Sequence, residues 1–151
     1  MNHKSGYAAI IGLPNSGKST LLNTLLGQKL SIVTNKPQTT RKKILGILSD
    51  PEYQVIFLDT PGIIKPGYLL QEKMMEAVNS AVKDADVILL IIDLAADPDV
   101  EKSLNNEIIS QIKSRRPLIL LLNKIDLLDQ NRIKTILVKL EASKQFNKIV
   151  P

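Results

Sequence analysis

The stretch Gly12-Leu13-Pro14-Asn15-Ser16-Gly17-Lys18-Ser19 decides the fold of this chain. It follows the pattern G-x-x-x-x-G-K-S, a glycine-rich loop whose backbone N–H groups surround the phosphates of a nucleotide. The two glycines let the backbone turn tightly and come close to the anion. Lys18 is expected to reach the β- and γ-phosphates, and the Ser19 hydroxyl to bind Mg²⁺. The predicted phosphate-binding residues are Gly12, Pro14, Asn15, Ser16, Gly17, Lys18, Ser19 and Thr20.

The residues on either side of this loop suit a strand before it and a helix after it. Tyr7–Ile11 is a short apolar run of the kind that forms a buried parallel strand. Lys18–Leu26 is rich in helix-forming residues and carries a stripe of leucines. The positive end of that helix dipole would face the loop and add to anion binding.

Apolar runs of strand length alternate with helical patterns along the chain. The predicted strands are Tyr7–Ile11, Ile44–Leu48, Tyr53–Leu58, Val87–Ile92 and Leu118–Leu122. The predicted helical stripes are Leu70, Met74, Ala77 and Ala81; Val100, Leu104, Ile108 and Ile112; and Ile133, Ile136, Leu137 and Leu140. This alternation predicts an α/β fold with a mostly parallel sheet and helices on both faces. A tight turn at Asp50-Pro51-Glu52 predicts one antiparallel strand at the sheet edge.

The composition of the 151-residue chain excludes several kinds of function. It has no cysteine and only one histidine, His3, which excludes disulfides, thiolate metal sites and a Ser-His-Asp triad in the body of the chain. The apolar runs are too short to cross a bilayer, and the first residues lack the apolar stretch of a signal peptide, so we expect a cytoplasmic protein. The net charge of +5 favours anionic partners and gives weak support for nearby RNA.

Asp59-Thr60-Pro61-Gly62 follows the apolar run that ends at Leu58. A carboxylate at the end of a strand beside the phosphate loop can anchor Mg²⁺, and we expect Asp59 to do so through a water. Gly62 offers a backbone N–H with no side chain in the way, which suits contact with a γ-phosphate. Alone, D-x-P-G is an ordinary turn, so this prediction depends on the upstream loop.

Asn123-Lys124-Ile125-Asp126 follows the run Leu118–Leu122 and is predicted to read the base. Guanine presents two adjacent donors, its ring N–H and its exocyclic amine, and the two oxygens of Asp126 can accept both. Adenine presents no such pair. The Lys124 stem can lie over the base plane, while Asn123 can tie neighbouring loops together. An isolated N-K-x-D sequence can also be a helix-capping turn.

Lys36–Arg41, with the sequence K-P-Q-T-T-R, lies between the first helix and the next strand. A loop there can fold over bound nucleotide, and one threonine hydroxyl would complete the Mg²⁺ shell only when the γ-phosphate is present. Thr40 is the preferred ligand and Thr39 the alternative, while a polar loop with ordinary turn chemistry is the other interpretation. The predicted Mg²⁺ ligands are Ser19, Thr40 and Asp59, and the predicted catalytic groups are Lys18, Thr40 and Gly62.

Taken in order, these elements resemble a translation-factor-type GTPase, and the K-P-Q-T-T-R loop narrows the resemblance to the Era family of ribosome-assembly GTPases. It runs from about Tyr7 to Pro151. The resemblance implies a Ras-like G domain of the P-loop NTPase class that binds GTP and GDP with Mg²⁺ and hydrolyses GTP as a molecular switch. For the full-length family protein it implies binding of small-subunit ribosomal RNA through a KH domain and peripheral contact with the inner membrane.

The chain departs from the family pattern in two ways. It contains no G-x-x-G pair, which forms the clamp loop of a KH domain. It also ends at Ile149-Val150-Pro151, where the family continues into a Ser-Ala loop that holds the guanine oxygen, and then into a final helix. We therefore predict that residues 1–151 form one G domain without these parts, with weakened nucleotide affinity and an exposed apolar sheet face.

Turnover is expected to be slow. Ile63 occupies the position where Ras-like enzymes have a water-aligning glutamine, so we expect an intrinsic rate on the order of 10⁻³ s⁻¹ or less. Asn15 raises the hypothesis of a compensating ion, because asparagine at this loop position marks related GTPases that recruit K⁺. A guanine-nucleotide-binding interaction module with negligible turnover is the alternative function.

Overall fold

The computed structural model describes residues 2–27, 44–58, 60–112 and 116–151. The strands in these ranges are β1 (Lys4–Ile11), β2 (Ile44–Ser49), β3 (Tyr53–Leu58), β4 (Val87–Asp93), β5 (Leu118–Asn123) and β6 (Lys148–Val150). The helices are α1 (Lys18–Leu26), α2 (Leu69–Asp84), α3 (Glu101–Leu104), α4 (Glu107–Ile112) and α5 (Gln130–Ser143), with a 3₁₀ turn at Ile125–Leu127. Within these ranges no helix combines the length and apolar character needed to span a membrane.

The strands form one sheet in the order β2-β3-β1-β4-β5-β6. Every neighbouring pair is parallel except β2 and β3, which run antiparallel at one edge. Their connection is tight, because the Asp50 N–H donates to the Tyr53 carbonyl oxygen at 2.8 Å and the Tyr53 N–H donates back at 3.3 Å. The predicted fold class, a mostly parallel α/β sheet with one antiparallel edge strand, is confirmed.

Helices cover both faces of this sheet. On one face α2, α4 and α5 pack over alternate residues of β4 and β5, which are Ile88, Leu90, Ile92, Leu118, Leu120 and Leu122. On the other face α1 packs through Leu22 against Ala8, Ile10, Phe57 and Ile91. The apolar strand residues around α1, namely Val55, Val87, Leu89 and Leu121, are partly buried, so the apolar face predicted to be exposed is half-covered in the described part of the chain.

Helix α2 buries only part of the predicted stripe. Ala81 is buried and Met74 packs partly buried against the core, whereas Leu70 and Ala77 are exposed. The other buried residues of the helix are Met75, Val78 and Val82. Ala81 and Ala85, which lies just beyond the helix, pack with Ala9 and Leu58 in a small cluster on the sheet. Small side chains let a helix approach a strand closely. The spacing of apolar residues along the helix does not predict such a contact.

The stripe predicted from Val100 to Ile112 is divided between two short helices. The division falls at Asn106, whose Oδ1 accepts hydrogen bonds from the N–H groups of Ile108 at 3.0 Å and Ile109 at 3.2 Å. An asparagine that satisfies the first free N–H groups starts a new helix. Asp97 of the predicted start signal similarly accepts from the Ser103 N–H at 2.8 Å, and it is buried there.

The topology brings the carboxyl ends of the five parallel strands, all except β2, to one edge of the sheet. Strand β1 lies between β3 and β4, so the connections after β1 and β3 leave on opposite sides of it. A position where neighbouring connections leave in opposite directions is a topological switch point, and open α/β sheets bind ligands in the crevice at such a point. Every motif singled out from the sequence follows one of these strand ends, except the Lys36–Arg41 loop.

Candidate functional site

The loop between β1 and α1 is shaped by two left-handed residues. Asn15 has a φ of 61° and Gly17 a φ of 102°. Asparagine tolerates this conformation, and glycine adopts it freely. A Cβ on Gly17 would also lie 2.2 Å from the Asn123 Nδ2 atom and would force that amide to move. The turns of the loop and the side chain of Asn123, the last residue of β5, together hold the loop backbone in place.

The Lys18 ammonium lies against this loop. Its Nζ donates to the carbonyl oxygens of Leu13 at 2.9 Å and Gly12 at 3.2 Å, and to the Ser16 Oγ at 3.3 Å. Ser16 is itself buried, whereas Ser19 and Thr20 are exposed in the first turn of α1. One positive charge and the helix N-terminus thus meet at the point predicted for the phosphates.

The segment after β3 packs directly onto the phosphate loop. The buried Thr60 hydroxyl donates to the Ile10 carbonyl oxygen, and the Ile63 N–H donates to the Gly12 carbonyl oxygen at 2.9 Å. A Cβ on Gly62 would lie 2.8 Å from the Pro14 Cα and 2.9 Å from the Pro14 backbone nitrogen. Only glycine allows this approach, which places the Gly62 backbone beside the loop.

Ile63 belongs to the core. Its side chain is 1% exposed and packs in the main apolar cluster with residues of α2, β4 and β5. A side chain enclosed in this way cannot align a water above the loop, even if its chemistry allowed it. The burial of Ile63 is therefore consistent with the prediction of slow turnover.

The end of β5 is joined to the phosphate loop by a direct hydrogen bond. The Asn123 Nδ2 donates to the Ser16 carbonyl oxygen at 3.0 Å. The Asn123 carbonyl oxygen in turn accepts from the Leu94 N–H at 3.1 Å. Asn123 therefore connects the end of β5 both to the phosphate loop and to the end of β4, and it sets the distance between the predicted phosphate and base sites.

Lys124 follows in the left-handed conformation, with a φ of 58°. Its Nζ donates to Asp93 Oδ2 at 2.6 Å. Burial opposes the charged form of Asp93 and by itself would raise its pKa. The Asp93 pKa nevertheless lies below its ordinary value, because the carboxylate accepts hydrogen bonds from Lys124 and from the N–H groups of Ala96 and Ala95 and lies beside the Lys124 charge. Asp93 is therefore a carboxylate at neutral pH, and the two side chains form an ion pair.

Asp126 lies in the 3₁₀ turn, where its residue is exposed. Its carboxylate has no hydrogen-bond partner among the residues that the structure describes, so both oxygens are accessible to outside donors. The arrangement can offer a cation and backbone N–H groups to phosphates at one end, and a carboxylate to paired donors at the other.

Several predicted residues are not placed. Thr39, Thr40 and the rest of Lys36–Arg41 lie outside the described residues, and so does Asp59. In the described ranges no three His, Cys, Asp or Glu residues cluster closely enough to hold a metal ion. The prediction that Ser19, Thr40 and Asp59 share one Mg²⁺ ion therefore stays a prediction.

The sequence analysis missed two residues that shape the site, Asp93 and Thr60. Asp93 ends an apolar strand beside the phosphate loop, which is the argument that singled out Asp59, and the same rule would have found it. Thr60 lies inside a motif that had been recognised, but its hydrogen bond to Ile10 depends on the pairing of β1 with β3. A short-range pattern carries no signal for that contact.

Three elements define a P-loop GTPase domain. They are a phosphate loop after β1, a glycine after β3 that packs against this loop, and an N-K-x-D segment at the end of β5 that is hydrogen-bonded to it. A family model described as "50S ribosome-binding GTPase" matches residues 7–124. The chain belongs to this GTPase family.

Curated relatives carry the Era name. A chloroplastic ERA-like GTPase of Oryza sativa subsp. japonica is 48% identical over 146 residues, which cover 96% of this chain and 34% of the relative. The GTPase Era of Ruminiclostridium cellulolyticum is 41% identical over 152 residues, which cover 100% of this chain and 50% of the relative. The chain thus spans half or less of the length of these relatives, and the resemblance to Era predicted from the sequence is confirmed.

Solved structures agree. Era in complex with MgGDPNP and a fragment of 16S ribosomal RNA has a TM-score of 0.80 at 38% identity, covering 99% of this chain and 51% of that one. An Era variant of Aquifex aeolicus bound to GDP and aluminium fluoride has a TM-score of 0.78, also at 38% identity, covering 98% and 50%. Guanine nucleotides are thus bound by proteins with this fold and similar sequence.

Proposed function

We propose that this domain binds GTP and GDP along the carboxyl edge of the sheet and hydrolyses GTP slowly to GDP and phosphate. The observation that carries the proposal is the hydrogen bond from Asn123 to the Ser16 carbonyl oxygen. This bond holds the phosphate loop, which carries Lys18, close to the segment that carries the exposed Asp126. A nucleotide could therefore contact the loop with its phosphates and Asp126 with its base.

The phosphate end of the proposed site combines charge with backbone donors. The Lys18 ammonium has three donors, and it is held by loop oxygens that lie next to the proposed ligand position. On binding, phosphate oxygens would replace some of these neutral acceptors, and the ammonium would then face an acceptor of opposite charge. The Gly62 N–H is proposed to contact the γ-phosphate, since its backbone lies against Pro14.

The base end of the proposed site favours guanine. Asp126 offers two exposed acceptor oxygens, which match the two adjacent donors of guanine. Adenine would leave that carboxylate without its donors, and sites built to bond a substrate donor reject analogues that lack it by about 10⁴-fold or more. The Lys124 stem is proposed to cover one face of the base.

Mg²⁺ and K⁺ are part of the proposal. Ser19 is exposed at the start of α1, and a hydroxyl together with a carboxylate from Asp59 and a hydroxyl from Thr40 or Thr39 is a donor set that suits Mg²⁺. When bound, the ion neutralises charge on the phosphates. Asn15 is exposed on the loop in a left-handed conformation, and we propose it as the residue nearest a K⁺ ion.

We further propose that the protein acts in assembly of the small ribosomal subunit. The family description refers to the 50S ribosome, but the Era structure that is 38% identical over nearly the whole chain holds part of 16S ribosomal RNA. We give that structure more weight because its match extends over 99% of the chain. Three statements stay predictions. They are that residues 1–151 form one G domain, that a KH domain binds the RNA, and that the protein is cytoplasmic with peripheral membrane contact.

Multiple-turnover phosphate release tests the proposed hydrolysis. The wild-type protein with Mg-GTP should release phosphate beyond one equivalent, and Lys18→Ala should release none above background. GDP and GTP binding without phosphate release by the wild-type protein would favour the alternative, a guanine-nucleotide-binding interaction module.

A further inference from the structure

Asp93 is a carboxylate of the site for which no role was predicted from the sequence. It is the last residue of β4 and stands opposite Asn123 in the pairing of β4 with β5. Its side chain is only 12% exposed, although it lies at the sheet edge that carries the proposed site. A nearly buried carboxylate beside the base-reading segment requires a reason for being there.

The two oxygens of Asp93 make separate contacts. Oδ1 accepts hydrogen bonds from the N–H groups of Ala95 at 2.9 Å and Ala96 at 3.3 Å. Oδ2 accepts from the Lys124 Nζ at 2.6 Å. The Asp93 carbonyl oxygen also accepts from the Asp97 N–H at 2.9 Å. The turn after β4 therefore fixes the carboxylate through Oδ1 and leaves Oδ2 to hold the ammonium.

Lys124 is the flexible partner of this pair. Its side chain is 40% exposed and has a four-carbon stem, which loses rotamer entropy whenever it is held in one position. A half-exposed ion pair of this kind contributes little to folding stability. A short, charge-assisted bond to a fixed carboxylate does, however, restrict where the stem can lie. Restriction before binding reduces the entropy that a ligand must otherwise remove.

We propose that Asp93 is a positioning residue for guanine recognition, which holds the Lys124 stem where it can cover the base. The inference rests on the proposed function, because it needs a base at that place. Asp93 does not touch the nucleotide and acts through Lys124. Its effect therefore falls on nucleotide affinity more than on stability.

A double-mutant cycle separates this role from a structural one. Asp93→Asn keeps an oxygen for the Ala95 and Ala96 N–H groups but removes the charge, and Lys124→Met keeps an apolar stem but removes the ammonium. Asp99→Asn is the matched control, because Asp99 accepts from Arg132 in an exposed ion pair outside the site, at 3.1 Å. For each protein, calorimetry gives the Kd for Mg-GDP and urea unfolding gives the stability.

Both Asp93→Asn and Lys124→Met should raise the Kd about twofold to tenfold, which corresponds to freeing one long side chain. The double variant should bind no more weakly than Lys124→Met, and Asp99→Asn should bind as the wild type does. Unfolding midpoints should differ little among the variants.

An unchanged Kd in Asp93→Asn overturns the inference, and so does a further loss of the same size when Asp93→Asn is added to Lys124→Met. If Asp93→Asn does not fold, Lys124→Met alone decides, since an unchanged Kd there also overturns the inference. Wild-type protein that binds no Mg-GDP would instead overturn the proposed function and this inference with it.

Discussion

Replacing Gly17 by alanine tests whether the phosphate loop and the base-reading segment are one unit. The substitution has two costs. Alanine at a φ of 102° is strained, and a left-handed residue with a Cβ costs about 1–2 kcal/mol. The new Cβ would also lie 2.2 Å from Asn123 Nδ2 and force that amide away from the Ser16 carbonyl oxygen. The lost hydrogen bond adds about 0.5–1.5 kcal/mol.

Gly17→Ala should therefore reduce the free energy of unfolding by about 1.5–3.5 kcal/mol. For a chain of this size that lowers the Tm by about 3–14 °C. Gly27→Ala is the matched control, because Gly27 also has a positive φ, 61°, but a Cβ there would meet no atom of the described residues within 4 Å. It should cost about 1–2 kcal/mol, the strain alone.

Urea unfolding followed by circular dichroism measures both variants, and a second cycle isolates the contact. In an Asn123→Ala background the amide is gone, so Gly17→Ala should cost less than it does in the wild type, by a coupling of about 0.5–1.5 kcal/mol. Equal costs for Gly17→Ala and Gly27→Ala, with no coupling to Asn123, would refute the reasoning that the two segments are held together at this point.

Four further predictions address the chemistry of the site. Asp126→Asn should shift preference from GTP toward xanthosine triphosphate by about 100-fold or more, measured as a ratio of Kd values, because the amide can donate to the xanthine oxygen. Ile63→Gln should lower the free energy of unfolding by about 2–3 kcal/mol in urea titrations without raising the rate of phosphate release, because the amide would be buried in the core. GTP turnover should be faster in KCl than in NaCl if Asn15 supports a K⁺ ion, and equal rates would count against that ion. The pKa of Asp93 lies below the ordinary aspartate value of about 3.9, so its pair with Lys124 contributes stability above that pH and loses it as the pH falls through the lowered pKa. Because the pair is half-exposed this contribution is small, and Asp93→Asn should flatten that part of the acid-unfolding curve only slightly.

The arrangement of strands and loops could be predicted because it depends on short-range patterns. Apolar runs bounded by turn residues located β1 to β5, and the loop 12–19 set the order of strand, phosphate loop and helix. The face of α2 could be predicted only in part, since Met74 and Ala81 of the predicted stripe pack on the core and Leu70 and Ala77 do not. Met74 and Met75, or Ala77 and Val78, are equally suitable by sequence, and tertiary contacts such as those of Ala81 and Ala85 with Ala9 and Leu58 decide between them.

The candidate site shows the same division between short-range and long-range information. Lys18, Gly62 and Asn123 could be singled out because each occurs in a motif. The bond from Asn123 to Ser16 and the pair of Lys124 with Asp93 join residues that are 107 and 31 positions apart. These contacts depend on the order β1-β4-β5 and on the register that sets Asp93 opposite Asn123.

Calorimetric titration of the folded protein with GDP and with ADP, both with Mg²⁺, tests most directly whether this sheet edge is a guanine-nucleotide site. GDP should bind at least about 100-fold more tightly than ADP, because only guanine supplies the two donors that Asp126 accepts. Equal affinity for the two nucleotides, or no heat of binding with either, would contradict the central claim.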